Sequence, residues 1–247
     1  MRKTFAWTLA LGLLLSLAVG TGYGQTAQNV LDKMIEAMGG KKALAAVKDI
    51  TMIGTVDMIQ MGMSAPMTLY QKEPNKTRFD LDLSAFQAGL TFTQAFDGTK
   101  GWGTNQQTMA IEESSDVMTK EISHQALGYT AFLNPQKMGI TYALKPKATL
   151  EGKDYLVLEQ TLSDGHKITM FIDPATYLVY KTAAKSLDPT TGGEIDGEAY
   201  SSDYRKVGGL MVAFSSLQLV NGTESMRITI TNVTVNSNVD DSLFIMK

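Results

Sequence analysis

The chain has 247 residues, with 22 basic and 25 acidic side chains for a net charge of −3, and no cysteine. The missing cysteines exclude disulfides and a cysteine-linked N-terminal lipid anchor, so the fold must rest on core burial. The even charge balance has no basic stripe and excludes nucleic acid as an expected partner.

Arg2 and Lys3 precede an apolar run from Phe5 to Val19, followed by Gly20, Gly22 and Gly24. This is the layout of a secretory signal peptide, with cleavage expected after Gly24. The apolar run of about 15 residues is shorter than the ~20 needed to span a bilayer. Residues 1–24 are therefore read as a cleaved leader, and 25–247 as one domain, since no Pro/Ser-rich linker or repeat divides it. Removing Arg2 and Lys3 takes the net charge to −5. The product is expected beyond the inner membrane, soluble and not lipid-anchored, which in a diderm bacterium means the periplasm.

The first predicted element is a helix. Val30, Leu31, Met34, Ile35 and Met38 recur on one face, Gly39-Gly40 ends it, and 41–47 suit a second short turn. Next comes a methionine-rich stretch, with Met52, Met58, Met61, Met63 and Met67 within 16 residues. Gly62 and Pro66 interrupt it, which predicts two strands joined by a loop or rim.

Period-two alternation then dominates. Phe79, Leu81 and Leu83 oppose Arg78, Asp80 and Asp82, while Leu90, Phe92 and Phe96 oppose Thr91 and Thr93. A weaker helix is predicted over 116–127, with Val117, Ile122 and Leu127 as its apolar positions, and it has broken by Pro135. Alternation returns at Ile168, Met170 and Ile172, and at Met226, Ile228 and Ile230.

Asp97-Gly98, Asp164-Gly165 and Asn221-Gly222 suit tight hairpins, with Asp196-Gly197 and Gly208-Gly209 as further turns. The fold class is α+β, mostly β: a half-open, curved antiparallel sheet or barrel of about ten strands in sequential hairpins. Helices from the N-terminus and mid-chain lie on its dry face and leave an apolar interior they need not fill.

Catalytic motifs are missing. The sequence has no G-x-S-x-G elbow, P-loop or H-E-x-x-H spacing, so no catalytic residue, metal or cofactor is expected. Asp80 and Asp82 read as a solvated strand face, and Asp240-Asp241 as a turn cap. His166 sits in a turn exposed by default, and His124, some forty residues earlier, shows no reason to meet it.

The methionines admit two readings, core filler or the lining of a site for flexible apolar ligands, because unbranched thioethers repack around variable shapes. Three stretches bear on the choice: Lys72-Glu73-Pro74-Asn75-Lys76 with Arg78-Phe79; Phe96-Asp97-Gly98-Thr99-Lys100-Gly101-Trp102; and Ile172-Asp173-Pro174 with Tyr177-Leu178-Val179. In this order they resemble the K-x-P-N strand, the D-G-K-x-x-W hairpin and the late strand–turn–strand of LolA-like periplasmic proteins, the outer-membrane lipoprotein-sorting group. Val30 to Gly40 and Asn236 to Phe244 are similar to the ends of its longer-chain branch.

The resemblance implies an eleven-stranded half-open barrel whose helices lid an apolar cavity. It also implies a monomeric carrier for lipoprotein acyl chains or other lipids, with inner-membrane donor and outer-membrane acceptor proteins as partners. Where the well-studied carriers place an arginine before the Pro-Asn, this chain has Glu73; Arg78 sits elsewhere on its strand and does not inherit that role. The departure favours general acyl-chain binding over a strict lipoprotein cycle.

On alternation, the candidate lining is Met58, Met61, Met67, Leu69, Phe79, Leu81, Leu83, Leu90, Phe92, Phe96 and Trp102. The alternative reading is a lipid-sensing regulatory or interaction module of the envelope. An enzyme for an apolar substrate ranks last.

Overall fold

The computed structural model describes residues 25–105, 107–187 and 193–246. The expected leader, 1–24, lies outside the described residues. Helix α1 (Ala27–Ala37) starts where the Thr26 hydroxyl accepts from the Asn29 amide at 3.2 Å, which satisfies one of its orphan donors. It buries Val30, Leu31, Met34 and Ile35 and is followed by the short α2 (Lys41–Ala45).

Two hairpins follow, formed by β1 (Asp49–Met58) with β2 (Met63–Lys72) and by β3 (Lys76–Asp82) with β4 (Thr91–Phe96). Short strands β5 (Gly101–Thr104) and β6 (Ile111–Glu113) end the first half. Helices α3 (Asp116–Gln125) and α4 (Thr130–Leu133) lead to β7 (Thr141–Leu150), β8 (Lys153–Thr161), β9 (Lys167–Ile172) and β10 (Val179–Leu187). Long strands β11 (Glu194–Val207), β12 (Leu210–Val220) and β13 (Thr223–Val235) complete the sheet, and a 3-10 turn (Asp241–Phe244) follows. The Asp240 side chain caps that turn by accepting from the Ser242 amide at 2.7 Å.

All these strands form one sheet, in the order β6-β5-β4-β3-β2-β1-β13-β12-β11-β10-β9-β8-β7, with antiparallel neighbours. Among the described residues thirteen strands replace the expected ten or eleven. The surplus includes β5 and β6, of four and three residues, too short for alternation to register. The sheet does not close into a barrel, since β6 and β7 are its two edges.

The chain therefore starts at mid-sheet, winds out to β6, crosses to β7 through residues 114–140, and winds back to β13 beside β1. Helix α3 touches β3, β4 and β5 in one half and β10 in the other, so the sheet curves around it and the crossover, with α3 and α4, lies on the concave side.

Four of the predicted turns are present. Asn221-Gly222 joins β12 to β13 with both residues at positive φ, the conformation this dipeptide tolerates best. Asp196-Gly197 is not a turn: it lies within β11, where Gly197 pairs with both Ala184 and Val220, and pairing on both sides overrides local turn preference.

One apolar cluster unites α1 with both halves of the sheet, from Val56, Met67 and Leu81 to Leu158, Met170 and Ile172. Among the described residues no helix is long and apolar enough to cross a membrane.

Candidate functional site

The concave face of β1 to β4 is an apolar field built by cross-strand register. Gly54, Met67, Leu81 and Phe92 form one row, and Met52, Leu69, Phe79 and Gln94 the next. Met67 and Leu81 are buried; Leu69, Phe79, Leu83 and Phe92 are half-buried against the same core. Leu90 is half-buried where its carbonyl accepts from the Leu83 amide at 3.0 Å. Met58 packs at the end of this field, in a row with Met63 and Met226. Met61 is 70% exposed in the 3-10 turn Ile59–Met61, so it lies on the rim and outside the packed field.

Two predicted lining residues part from the rest. Phe96 belongs to a separate cluster with Ile122, Ala126 and Met118 beneath α3. Trp102 is on the opposite face, because it follows Gly101 by one residue and strand side chains alternate. Gly101 faces α3: a Cβ there would lie 3.0 Å from Thr119 Cα. Trp102 instead is buried on the convex side, where its indole N–H donates to the Phe244 carbonyl at 2.7 Å. Arg78 shares that face and donates to the Leu243 carbonyl at 3.0 Å, so it is engaged away from the helices.

The interior expected to be incompletely filled is occupied by helix side chains. Leu31, Met34 and Ile35 enter from α1, and Tyr129, Phe132 and Leu133 from the α4 region. Clefts remain on both sides of Phe132. One, of about 450 Å³ with its open mouth, runs between Val47, Ile50 and Phe132 toward Lys72 and Glu73. The other, of about 690 Å³ with the open solvent at its mouth, lies between Leu31, Ile35 and residues 132–137.

Polar groups fasten the crossover at two points in its middle, near the end of α3 and at the start of α4. Glu73, on the β2–β3 turn, accepts from the Tyr129 amide at 2.5 Å, the Thr130 amide at 3.1 Å and the Thr130 hydroxyl at 2.6 Å. Gly128 makes this approach possible, since a Cβ there would lie 2.2 Å from the Glu73 carboxylate. Burial, with Glu73's charge nearby, pushes the Tyr129 hydroxyl up to about 12. The Tyr142 hydroxyl donates to the Ala131 carbonyl at 3.2 Å and holds α4 to β7; burial raises its pKa as well.

At the far end of α3, His124 lies 2.8 Å from Asp164 and stacks on His166 with ring centroids 4.0 Å apart. The two histidines therefore converge, against expectation, and His166 is half-buried. They are 42 positions apart in sequence, and the edge-to-edge crossover brings them together. Asp80, read as solvated, is half-buried and occupied by Arg78 at 2.9 Å and by the Thr93 hydroxyl at 2.7 Å, while Asp82 is exposed. Among the described residues no cluster of His, Cys, Asp and Glu could hold a metal ion.

An open antiparallel sheet whose crossover helices cover its apolar face is a LolA-like fold. A domain from Vibrio parahaemolyticus assigned to outer membrane lipoprotein sorting matches with TM-score 0.59 at 15% identity, over 88% of this chain and 97% of its own. A LolA superfamily protein from Nitrosomonas europaea matches at 0.58 and 13%, over 90% and 98%. A DUF1329 family protein from Desulfovibrio piger matches at 0.60 and 12%, over 89% and 97%. At these identities the likeness establishes the fold. No family sequence model matches the chain, and no curated protein does.

Proposed function

We propose that this protein is a periplasmic carrier that shields the acyl chains of lipoproteins or related lipids on their way to the outer membrane. On this reading residues 1–24 direct export and 25–247 form the binding domain. The observation that carries it is an apolar sheet face covered by a crossover that polar groups fasten. Each buried methylene is worth roughly 0.8 kcal/mol, so a long acyl chain in water costs on the order of 10 kcal/mol. Release of α3 and α4 uncovers Leu69, Phe79, Leu81 and Phe92 beside Met67, a surface able to repay that cost with no covalent chemistry.

The lining assigned here is Met58, Met67, Leu69, Phe79, Leu81, Leu83, Leu90 and Phe92, with Phe96 beneath α3 and Met61 at the rim. Glu73 supplies acceptors for lid amides, so the lid has a fastening of its own where the studied carriers place arginine. Membrane-bound donor and acceptor proteins are the partners this route requires.

Native mass spectrometry of protein purified from a bacterial periplasm without detergent tests the proposal. Co-purified phospholipid or acylated protein supports it. A ligand-free protein that also ignores added acylated peptide overturns it and leaves an interaction module as the better reading.

A further inference from the structure

Helix α3 ends in a cluster that the apolar face alone does not require. Helix α3 presents Lys120 and His124 to the β8–β9 turn, where both reach the same carboxylate oxygen of Asp164, at 3.1 and 2.8 Å. His166, from that turn, stacks on His124 with ring planes 24° apart. Nδ1 of His124 is buried and has no hydrogen-bond partner among the described residues.

We infer that this cluster is a pH-sensitive clasp: it holds α3 over the apolar face near neutral pH and releases it when the stacked histidines take up protons. The inference deepens the carrier reading by naming how access to its face is controlled.

Charge and hydrogen bonding both oppose full protonation of the closed clasp. The groups facing His166 are Asp164 on its own turn and Lys120, Glu121 and His124 on α3. One imidazolium is matched by Asp164. A second puts like charges 4.0 Å apart beside Lys120, with only Asp164 and Glu121 to offset three cations. A fully protonated His124 would also carry an N–H at Nδ1 with no acceptor, a cost that opening to water removes.

Burial, with the His124 charge second, holds His166 below the ordinary imidazole value. For a base lowered in the closed form, the stabilisation is present above the ordinary value of about 6.5 and is lost as pH falls below it. Asp164 does not titrate in that window. Burial opposes its ionisation, but the His166 amide, His124 and Lys120 outweigh burial and keep its carboxyl well below the usual range.

The test is hydrogen exchange on the intact protein at about pH 7.5 and about pH 5.5, corrected for intrinsic exchange. The clasp predicts that α3 amides lose protection severalfold at the lower pH while β8 and β9 keep theirs. His166→Gln should abolish that loss, and Asp164→Asn should expose α3 at both pH values. The unchanged strands report that each variant is folded; if His166→Gln is not, His124→Gln removes the same charge pair. Protection of α3 that does not change with pH, or a drop that persists in a folded variant lacking either histidine, overturns the clasp.

Uptake of a fluorescent long-chain fatty acid is read in parallel. Release of α3 without uptake supports the clasp and counts against the carrier reading. Uptake with α3 protection flat across both pH values overturns the clasp alone.

Discussion

Two helices of nearly equal length cover the same sheet and are held by different forces. α1 buries Val30, Leu31, Met34 and Ile35 at no more than 2% exposure, whereas Ile122 is the one side chain that α3 buries to that degree. Full burial of an aliphatic side chain is worth about 1.5–3 kcal/mol, and an exposed ion pair only about 0–1. α1 is thus anchored by several times the apolar free energy of α3, which relies on Asp164. The strongly amphipathic helix is part of the core, and the weakly amphipathic one is the element able to leave.

The largest expected effect separates the two directly. Met34→Ala, a fully buried truncation, should cost about 3 kcal/mol of global stability, read as a lower urea midpoint. Ile122→Ala removes a similarly buried side chain, yet should leave that midpoint nearly unchanged and raise exchange in α3. Equal midpoint losses would mean that α3 unfolds only with the sheet, and the comparison would collapse.

Next in size is the other fastening. Glu73→Ala removes three acceptor contacts from Tyr129 and Thr130, at a local cost of about 2 kcal/mol. Amides around α4 should exchange faster and an acyl probe should enter faster, with α1 unaffected. Unchanged exchange at Tyr129 and Thr130 would show that Tyr142 and packing alone hold α4.

Much of this architecture was legible in the chain because it is local. The α1 face, the alternation at Phe79, Leu81 and Leu83, and the Asp97-Gly98 and Asn221-Gly222 turns each need only neighbouring residues. Asp196-Gly197 misled because pairing on both sides of β11 overrides a turn preference. The His124–Asp164–His166 cluster was illegible because no periodicity encodes a contact made by a crossover between sheet edges. Trp102 falls on the other face because the register sets it beside Ala95 and Arg78, and alternation within a four-residue strand does not say which face is inside.

That alternation supplies the finest test of how the two helices differ. Gly101 and Trp102 are adjacent on β5 but face opposite sides. A Cβ at Gly101 would press on Thr119 Cα and hydroxyl at 3.0 Å and on the Ile122 side chain at 3.2 Å. Gly101→Ala should therefore loosen α3, seen as faster exchange there, while α1 keeps its protection. Trp102→Phe keeps most of the ring volume but leaves the Phe244 carbonyl without its donor, a cost of about 1 kcal/mol. It should loosen the C-terminal segment on the convex side and leave α3 exchange and acyl-probe binding as they were. An effect of Trp102→Phe on α3 would mean that the convex face also bears on the lid, and that α3 depends on more than Asp164 and Ile122.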